Sequence, residues 1–209
     1  MKRFFLALFI VSILGLQAQS VIELPAPQTT GGMPLMEALS KRQSLRNYDS
    51  SKSLNPQMLS NLLWAANGIN RPASGKRTAP SAVNWQQIDI FVALKEGVYF
   101  FDFKDHVLKL IEAGDFRSEM GKQKFVGDAS AVLVFVADID KMEGANEKAI
   151  EFYTATDCGN VSQNVYLFCA SEGLSTVALG MIDRELIAKR LKLKERTKVI
   201  LSQTVGFAK

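Results

Sequence analysis

The sequence segment that is best suited to chemistry is Arg42-Gln43-Ser44-Leu45-Arg46. An arginine guanidinium presents a planar fork of N–H donors that matches the oxygens of a phosphate, and a serine hydroxyl adds a compact donor. The segment could therefore bind an anion. Arginines at the end of a helix also occur on ordinary surfaces, where they interact with the negative end of the helix dipole. The segment by itself leaves both interpretations open.

Other common sites have no matching residues in the sequence. It contains no Gly-x-Gly-x-x-Gly that opens a helix, no phosphate-binding loop ending in Gly-Lys-Ser/Thr and no Gly-x-Ser-x-Gly. His106 is the single histidine, and it has no evident partner for nucleophilic catalysis, so we expect it on the surface or at the end of a hairpin. Two cysteines without a neighbouring histidine do not form a zinc pattern, and we expect no metal.

The composition is that of one globular domain. The chain has 209 residues, of which 47% are hydrophobic and 22% are charged. The formal net charge is +4, and it is +2 without Lys2 and Arg3. So small a charge does not favour a nucleic acid or a membrane surface as partner.

The N-terminus is typical of an export signal. A positive start, Met1-Lys2-Arg3, precedes an apolar run over residues 4–16, and small residues suited to cleavage follow near Ala18. A membrane-spanning helix needs roughly 20 apolar residues, so the run is short for an anchor, although an uncleaved anchor is the alternative. We predict a signal peptide over residues 1–18 and a mature chain that is periplasmic or secreted.

The two cysteines, Cys158 and Cys169, lie on one predicted helix. Their separation of eleven residues places them on the same face, roughly 16 Å apart. A disulfide requires Cα atoms within about 7 Å, so we predict two buried free thiols.

Hydrophobic periodicity and the positions of Gly and Pro predict an α+β fold with a mixed sheet between helices. Residues 19–34 contain several Pro and Gly and predict an extended N-terminal arm before a domain over residues 35–209. The loop over residues 69–86 is long, and loops of that length are usually functional. The predicted helices are 35–42, 56–67, 106–113, 147–172 and 184–191, and the predicted strands are 88–94, 98–103, 131–137, 174–179 and 198–205.

Several short motifs resemble those of the nitroreductase family of FMN enzymes. The family begins with Arg-x-Ser-x-(Arg/Lys) followed by an aromatic, which matches Arg42 to Arg46 and then Tyr48. Each motif is weak alone, but the order of all five is specific, and the resemblance covers residues 35–209. The four later motifs are Pro80-Ser81-Ala82-Val83-Asn84-Trp85-Gln86, Gln123-Lys124-Phe125, Gly-x-x-x-Gln-Asn at residues 159–164, and Val205-Gly206-Phe207-Ala208-Lys209. Residues 63–71 and 77–81 resemble the branch that contains thiazoline/oxazoline dehydrogenase-type proteins.

The resemblance implies a phosphate site on the first motif. Arg42, Gln43 and Ser44 would hold the FMN phosphate and the ribityl chain, and Lys209 would lie near the phosphate. Arg46 would approach the pyrimidine edge of the flavin, where a fixed positive charge stabilises the anionic reduced form.

The resemblance also implies a domain-swapped homodimer with FMN at the interface. Pro80, Ser81, Ala82 and Asn84 would reach a flavin held by the partner subunit. The nitroreductase-like fold would have a mixed central β-sheet flanked by helices.

Three further residues would lie beside the flavin ring. Gln123 would hydrogen-bond near it, and the backbone of Leu179 and Gly180 would approach its N5 edge. Many members of the family carry an acidic residue at the position of Leu179, so handling of the nicotinamide would differ here.

The implied function is a two-electron transfer at the flavin, with no catalytic side chain required. A nicotinamide, NAD(P)H, or another donor would reduce FMN, and a small conjugated acceptor such as a nitroaromatic or a quinone would reoxidise it. One alternative is a flavin-dependent dehydrogenase of ring or peptide substrates. The other is an exported flavin- or ligand-binding protein without turnover, which would purify as a colourless monomer.

Overall fold

The computed structural model describes residues 19–209, so the predicted signal peptide lies outside the described residues. Among residues 19–209, none of the helices combines the length and the hydropathy that crossing a membrane requires. The helices are α1 (Leu35–Lys41), α2 (Pro56–Asn67), α3 (Glu147–Glu172) and α4 (Arg184–Arg190). The strands are β1 (Val21–Glu23), β2 (Ile69–Arg71), β3 (Lys76–Arg77), β4 (Ile88–Ala93), β5 (Gly97–Asp102), β6 (Val107–Ala113), β7 (Ala131–Asp138), β8 (Leu174–Leu179) and β9 (Thr197–Phe207).

Seven of the strands form one sheet in the order β1-β6-β5-β4-β7-β9-β8, and β2 pairs with β3 separately. The predicted α+β class and helix-flanked sheet are confirmed. Every pairing in the part of the chain described is antiparallel, however, where we expected a mixed sheet. The short connections explain the β4-β5-β6 meander, because neighbouring strands joined by hairpins must run in opposite directions.

The two faces of the sheet carry separate hydrophobic cores. Alternate residues of β7 point to opposite faces: Leu133 joins the core with α2 and α3, and Val134 joins the core with α4. Both faces of β7 are therefore buried, as its nearly continuous apolar sequence predicts.

The predicted helix over residues 106–113 is wrong, because Val107–Ala113 is strand β6. Its apolar residues fit a helical or an extended pattern, and pairing with β5 on one side and β1 on the other selects the strand. His106 lies in the β5–β6 turn with a φ of 56°, so its predicted position at a hairpin end is confirmed.

Within the predicted N-terminal arm, Val21–Glu23 is an edge strand, which the Pro and Gly content did not indicate. Cys158 and Cys169 are buried free thiols on α3, as predicted. Burial raises the pKa of Cys158 to about 12 and also raises the pKa of Cys169, so both thiols stay protonated near neutral pH.

Candidate active site

The arginine–serine segment follows α1 and lies against the outer edge of strand β8. β8 pairs with β9 on one side, which leaves the hydrogen-bonding groups of its other edge for other partners. The backbone N–H of Leu45 donates to the carbonyl of Thr176 at 3.0 Å. This bond holds residues 42–46 beside β8, although these residues do not themselves form a strand.

Tyr48 anchors the end of this segment in the core. Its hydroxyl donates to the carbonyl of Leu45 at 3.0 Å and lies 2.5 Å from the Thr204 hydroxyl. Burial raises the pKa of Tyr48, so the hydroxyl remains a donor. A Cβ at Gly206 would lie 3.1 Å from the Tyr48 ring and 2.9 Å from the backbone nitrogen of Ser130, so the Val-Gly-aromatic motif leaves room for this anchor.

Tyr166 of α3 contacts both anion-binding candidates. The Arg42 guanidinium carbon lies 5.3 Å from the centroid of the Tyr166 ring. The Tyr166 hydroxyl lies 3.0 Å from the Ser44 hydroxyl and accepts the backbone N–H of Ala178 at 2.9 Å. One tyrosine thus links the segment to both the long helix and the edge strand.

Arg42 and Tyr166 border a cleft of about 400 Å³ between α1, α3 and β8. Its lining includes Lys41, Arg42, Gln43 and Tyr166. Lys41 forms a salt bridge with Glu37 at 2.7 Å, as a basic residue on an ordinary helix surface does. Within residues 19–209 no carboxylate forms a salt bridge with Arg42, with Arg46 or with Lys209. Arg42 therefore brings an unneutralised positive charge to the cleft.

Gln123, Leu179 and Gly180 come together at the far end of β8. The Lys122 N–H donates to the carbonyl of Met181 at 3.2 Å, which joins the two loops. A Cβ at Gly121 would lie 2.9 Å from the Leu179 side chain and 3.2 Å from Gln123 Oε1. The close approach of these loops requires a residue without a side chain.

Two features of this end suit a bound ring. Gln123 Oε1 is buried and accepts no hydrogen bond from the described part of the chain. A buried carbonyl oxygen without a donor is costly, so a ligand N–H would stabilise it. Gly180 is exposed, and a Cβ placed on it would have Leu201 Cδ2, at 3.9 Å, as its nearest neighbour. From Thr176, which lines the cleft, to Gly180 the strand advances roughly 13 Å.

The residues that were predicted to reach the flavin of a partner subunit lie in another part of the structure. The Ala82 N–H donates to the Asp157 carboxylate at 3.0 Å, and the Ser81 hydroxyl donates to Gln87 at 3.0 Å. Asp157 and Tyr166 are nine residues apart, which is roughly 13 Å along α3. Pro80, Ser81, Ala82 and Asn84 therefore do not join the Arg42 group within one chain.

The loop over residues 80–86 has an unusual backbone. Val83, Asn84 and Gln86 have φ values of 53°, 61° and 51°, and the Val83 side chain is 81% exposed. Left-handed backbone is rare for a β-branched residue and costs about 1–3 kcal/mol. The hydrogen bonds of Ser81 and Asp157 hold this conformation, which presents an apolar side chain to the surface.

The nitroreductase family model matches residues 39–207, which include the segment, the strained loop and β8. The chain belongs to the nitroreductase family. It is therefore an oxidoreductase of a flavin-dependent type.

Two similar proteins extend this finding over most of the chain. A protein of Methanocaldococcus jannaschii named "putative nitroreductase" is 33% identical over 171 residues, covering 77% of this chain and 85% of the relative. The crystal structure of a "putative nitroreductase" from Ralstonia eutropha JMP134 is 44% identical, has a TM-score of 0.87 and matches 92% of this chain and 91% of that chain. A chain of the Escherichia coli microcin synthetase complex shares the fold, with a TM-score of 0.69 and 17% identity over 99% of this chain and 85% of that one.

Sequence reasoning missed two polar residues of this nitroreductase-family site, Tyr166 and Asp157. Asp157 is the only charged residue between Phe152 and Ser171, and a lone acid in such a stretch is a signal for a buried hydrogen-bonded role. Tyr166 carries no comparable signal, because it sits beside the apolar stripe of α3 and its partner Ser44 is 122 residues away.

Proposed function

We propose that this chain is an FMN-dependent oxidoreductase that transfers two electrons, as hydride, from a nicotinamide or another donor to a small conjugated acceptor. Nitroaromatics and quinones are the acceptor classes we expect. The observation that carries the proposal is the unneutralised Arg42, which lines the cleft beside β8 and shares Tyr166 with the Ser44 hydroxyl.

The donors in the cleft fit the phosphate of FMN. Arg42 supplies a planar fork, Ser44 a hydroxyl and Gln43 a carboxamide, and Lys209 adds a positive charge at the end of the chain. Asp49 N–H donates to the carbonyl of Phe207 at 2.9 Å, which brings the C-terminal end of β9 close to this segment and supports a role for Lys209 near the phosphate.

The far end of β8 fits the ring of the flavin. Gln123 Oε1 can accept a ring N–H, and Gly180 lets the ring approach the backbone beside Leu179. Arg46 is exposed, and within residues 19–209 its guanidinium bonds only the carbonyl of Ser44, at a long 3.5 Å, so its charge can face the pyrimidine edge. Bound FMN supplies the hydride chemistry, and these residues bind it and tune its potential.

We further propose a homodimer. One exposed row of α3 is formed by Phe152, Thr156, Gly159 and Gln163, beside exposed Glu151, and Tyr166 continues the row into the cleft. The residues of this row are uncharged, and Phe152 is 63% exposed, which is typical of a surface that a partner covers. Exposed Leu35, Met36 and Leu39 of α1 add apolar area near the cleft end of this face. A second copy seated there would also cover the cleft.

The dimer gives the strained loop a role. Pro80, Ser81, Ala82 and Asn84 do not reach the cleft of their own chain, but Val83 extends the loop outward. In a two-fold dimer, one chain's loop contacts the site of the other, and the reverse holds as well. We propose that the loop contacts the flavin bound by the partner subunit.

Export of the mature chain remains part of the proposal. The carbonyl of Ser20 accepts the N–H of Leu110 at 2.9 Å, and β1 begins at Val21. Cleavage near Ala18 would keep these contacts. Because NAD(P)H is concentrated in the cytoplasm, a donor other than a nicotinamide is compatible with an exported enzyme.

The test is purification of the mature chain, followed by its absorption spectrum and flavin content. We expect a yellow dimer that binds one FMN per chain and oxidises NADH or NADPH with a quinone or nitroarene. Flavin binding without nicotinamide oxidation would restrict the proposal to another donor. A colourless monomer that does not take up FMN would refute it.

A further inference from the structure

One hydrogen bond of Tyr166 has a defined direction. The backbone N–H of Ala178 can only donate, so the Tyr166 oxygen is the acceptor of that 2.9 Å bond. Within residues 19–209 the only other partner of this hydroxyl is Ser44 Oγ at 3.0 Å, and either hydroxyl can donate in that pair. Donation by Tyr166 gives the phenolic proton an acceptor within the chain.

Donation by Tyr166 determines what the Ser44 hydroxyl can do. The Ser44 oxygen would then be occupied as an acceptor and its own proton would be available to a ligand, since Ser44 donates to no other group in the described chain. A chain of donors would run from Ala178 through Tyr166 to Ser44 and end at the bound group. Such a chain suits a group that only accepts hydrogen bonds, as ionised phosphate oxygens do.

The same aromatic ring restrains Arg42. The guanidinium lies over the ring face, and the side chain is half-buried. A free arginine side chain loses rotamer entropy when it binds, and a preformed contact reduces that loss. Tyr166 thus contacts the charged donor and orients the neutral one.

We infer that Tyr166 is a positioning residue for phosphate recognition, which directs the Ser44 hydroxyl and holds Arg42 toward the phosphate of the cofactor. The inference rests on the proposed function, because it concerns the same cleft. It predicts that Tyr166 affects the phosphate of FMN and leaves binding of the flavin ring unchanged.

The experiment compares FMN with riboflavin, which has the same ring and no phosphate. For Tyr166→Phe we expect the Kd of FMN to rise about tenfold, from a lost hydrogen bond to an anionic group and a less ordered Arg42, while the Kd of riboflavin changes less than about twofold. The matched control is Tyr99→Phe in β5, because the buried Tyr99 hydroxyl has no hydrogen-bond partner in the described part of the chain. The control should change neither Kd.

Substitutions of Ser44 provide the second measurement. Ser44→Ala should weaken FMN binding alone, and Ser44→Thr, which keeps the hydroxyl, should retain most of it. Tyr166→Phe should reduce FMN affinity clearly less in the Ser44→Ala background than in the wild type, because the hydrogen bond between the two residues is already lost.

Three results would overturn the inference: an unchanged FMN Kd in Tyr166→Phe, equal losses for FMN and riboflavin, or full additivity with Ser44→Ala. If Tyr166→Phe does not fold, as judged by its thermal unfolding, equal losses of FMN and riboflavin in Ser44→Ala would overturn it. A folded wild-type protein that binds neither flavin would instead refute the proposed function, and the inference with it.

Discussion

Replacement of Arg42 by alanine removes the charged fork of the phosphate site. A hydrogen bond to a charged group contributes about 1.5–3 kcal/mol, and about 1.4 kcal/mol is tenfold in affinity. We therefore expect the Kd of FMN to rise about 10- to 150-fold. Arg42→Lys keeps the charge and loses the planar fork, so its loss should be intermediate. Riboflavin binding should change little, because riboflavin carries no phosphate.

The assay is quenching of flavin fluorescence on binding, with retention of FMN through ultrafiltration as a second measurement. Arg196→Ala is the matched control, because Arg196 is exposed and pairs with Asp140 on a different surface. A cation–π contact at an exposed site contributes about 0.5–1 kcal/mol. Loss of the Arg42 contact with Tyr166 should therefore leave the variant folded. An unchanged FMN Kd in folded Arg42→Ala would show that the phosphate lies elsewhere.

Three further predictions follow from the charge, the surface and the histidine of the chain. Arg46→Ala should lower the two-electron reduction potential of bound FMN, by about 30 mV for each 1.4 kcal/mol of stabilisation that the reduced flavin loses. A redox titration that gives the wild-type potential would show that Arg46 does not tune the flavin. Phe152→Glu should convert the dimer to a monomer in light scattering, whereas Leu186→Glu, which changes an exposed apolar residue of α4, should not. A dimeric Phe152→Glu would place the interface elsewhere. Burial lowers the pKa of His106, so the unfolded chain binds the proton more readily and stability falls as pH drops below about 6.5. In urea denaturation, His106→Asn should lose less unfolding free energy than the wild type between about pH 7.5 and pH 5.5; asparagine tolerates the left-handed backbone. An equal loss in both proteins would show that His106 does not cause the pH dependence.

Local signals determined most of the elements. Asn55 and Pro56 predict the start of α2, and the Asn55 side chain caps the helix as expected. The apolar run at residues 131–137 predicts a strand buried on both faces, and Lys95-Glu96-Gly97 predicts the β4–β5 turn. These predictions hold because backbone preferences and burial patterns within a short window were sufficient to decide them.

The sequence by itself also indicated the candidate anion site. The residue types of Arg42 and Ser44 suit a phosphate but left a surface role open, and the ordered motifs of the nitroreductase family favoured the phosphate. Tertiary structure decided what surrounds it. Pairing with β5 made residues 107–113 a strand, and the distance along α3 separated the Pro80 loop from the cleft. Packing placed Tyr166 beside Ser44 across 122 residues of sequence. Contacts over such separations depend on how helices and strands pack, and no local pattern of residues encodes them.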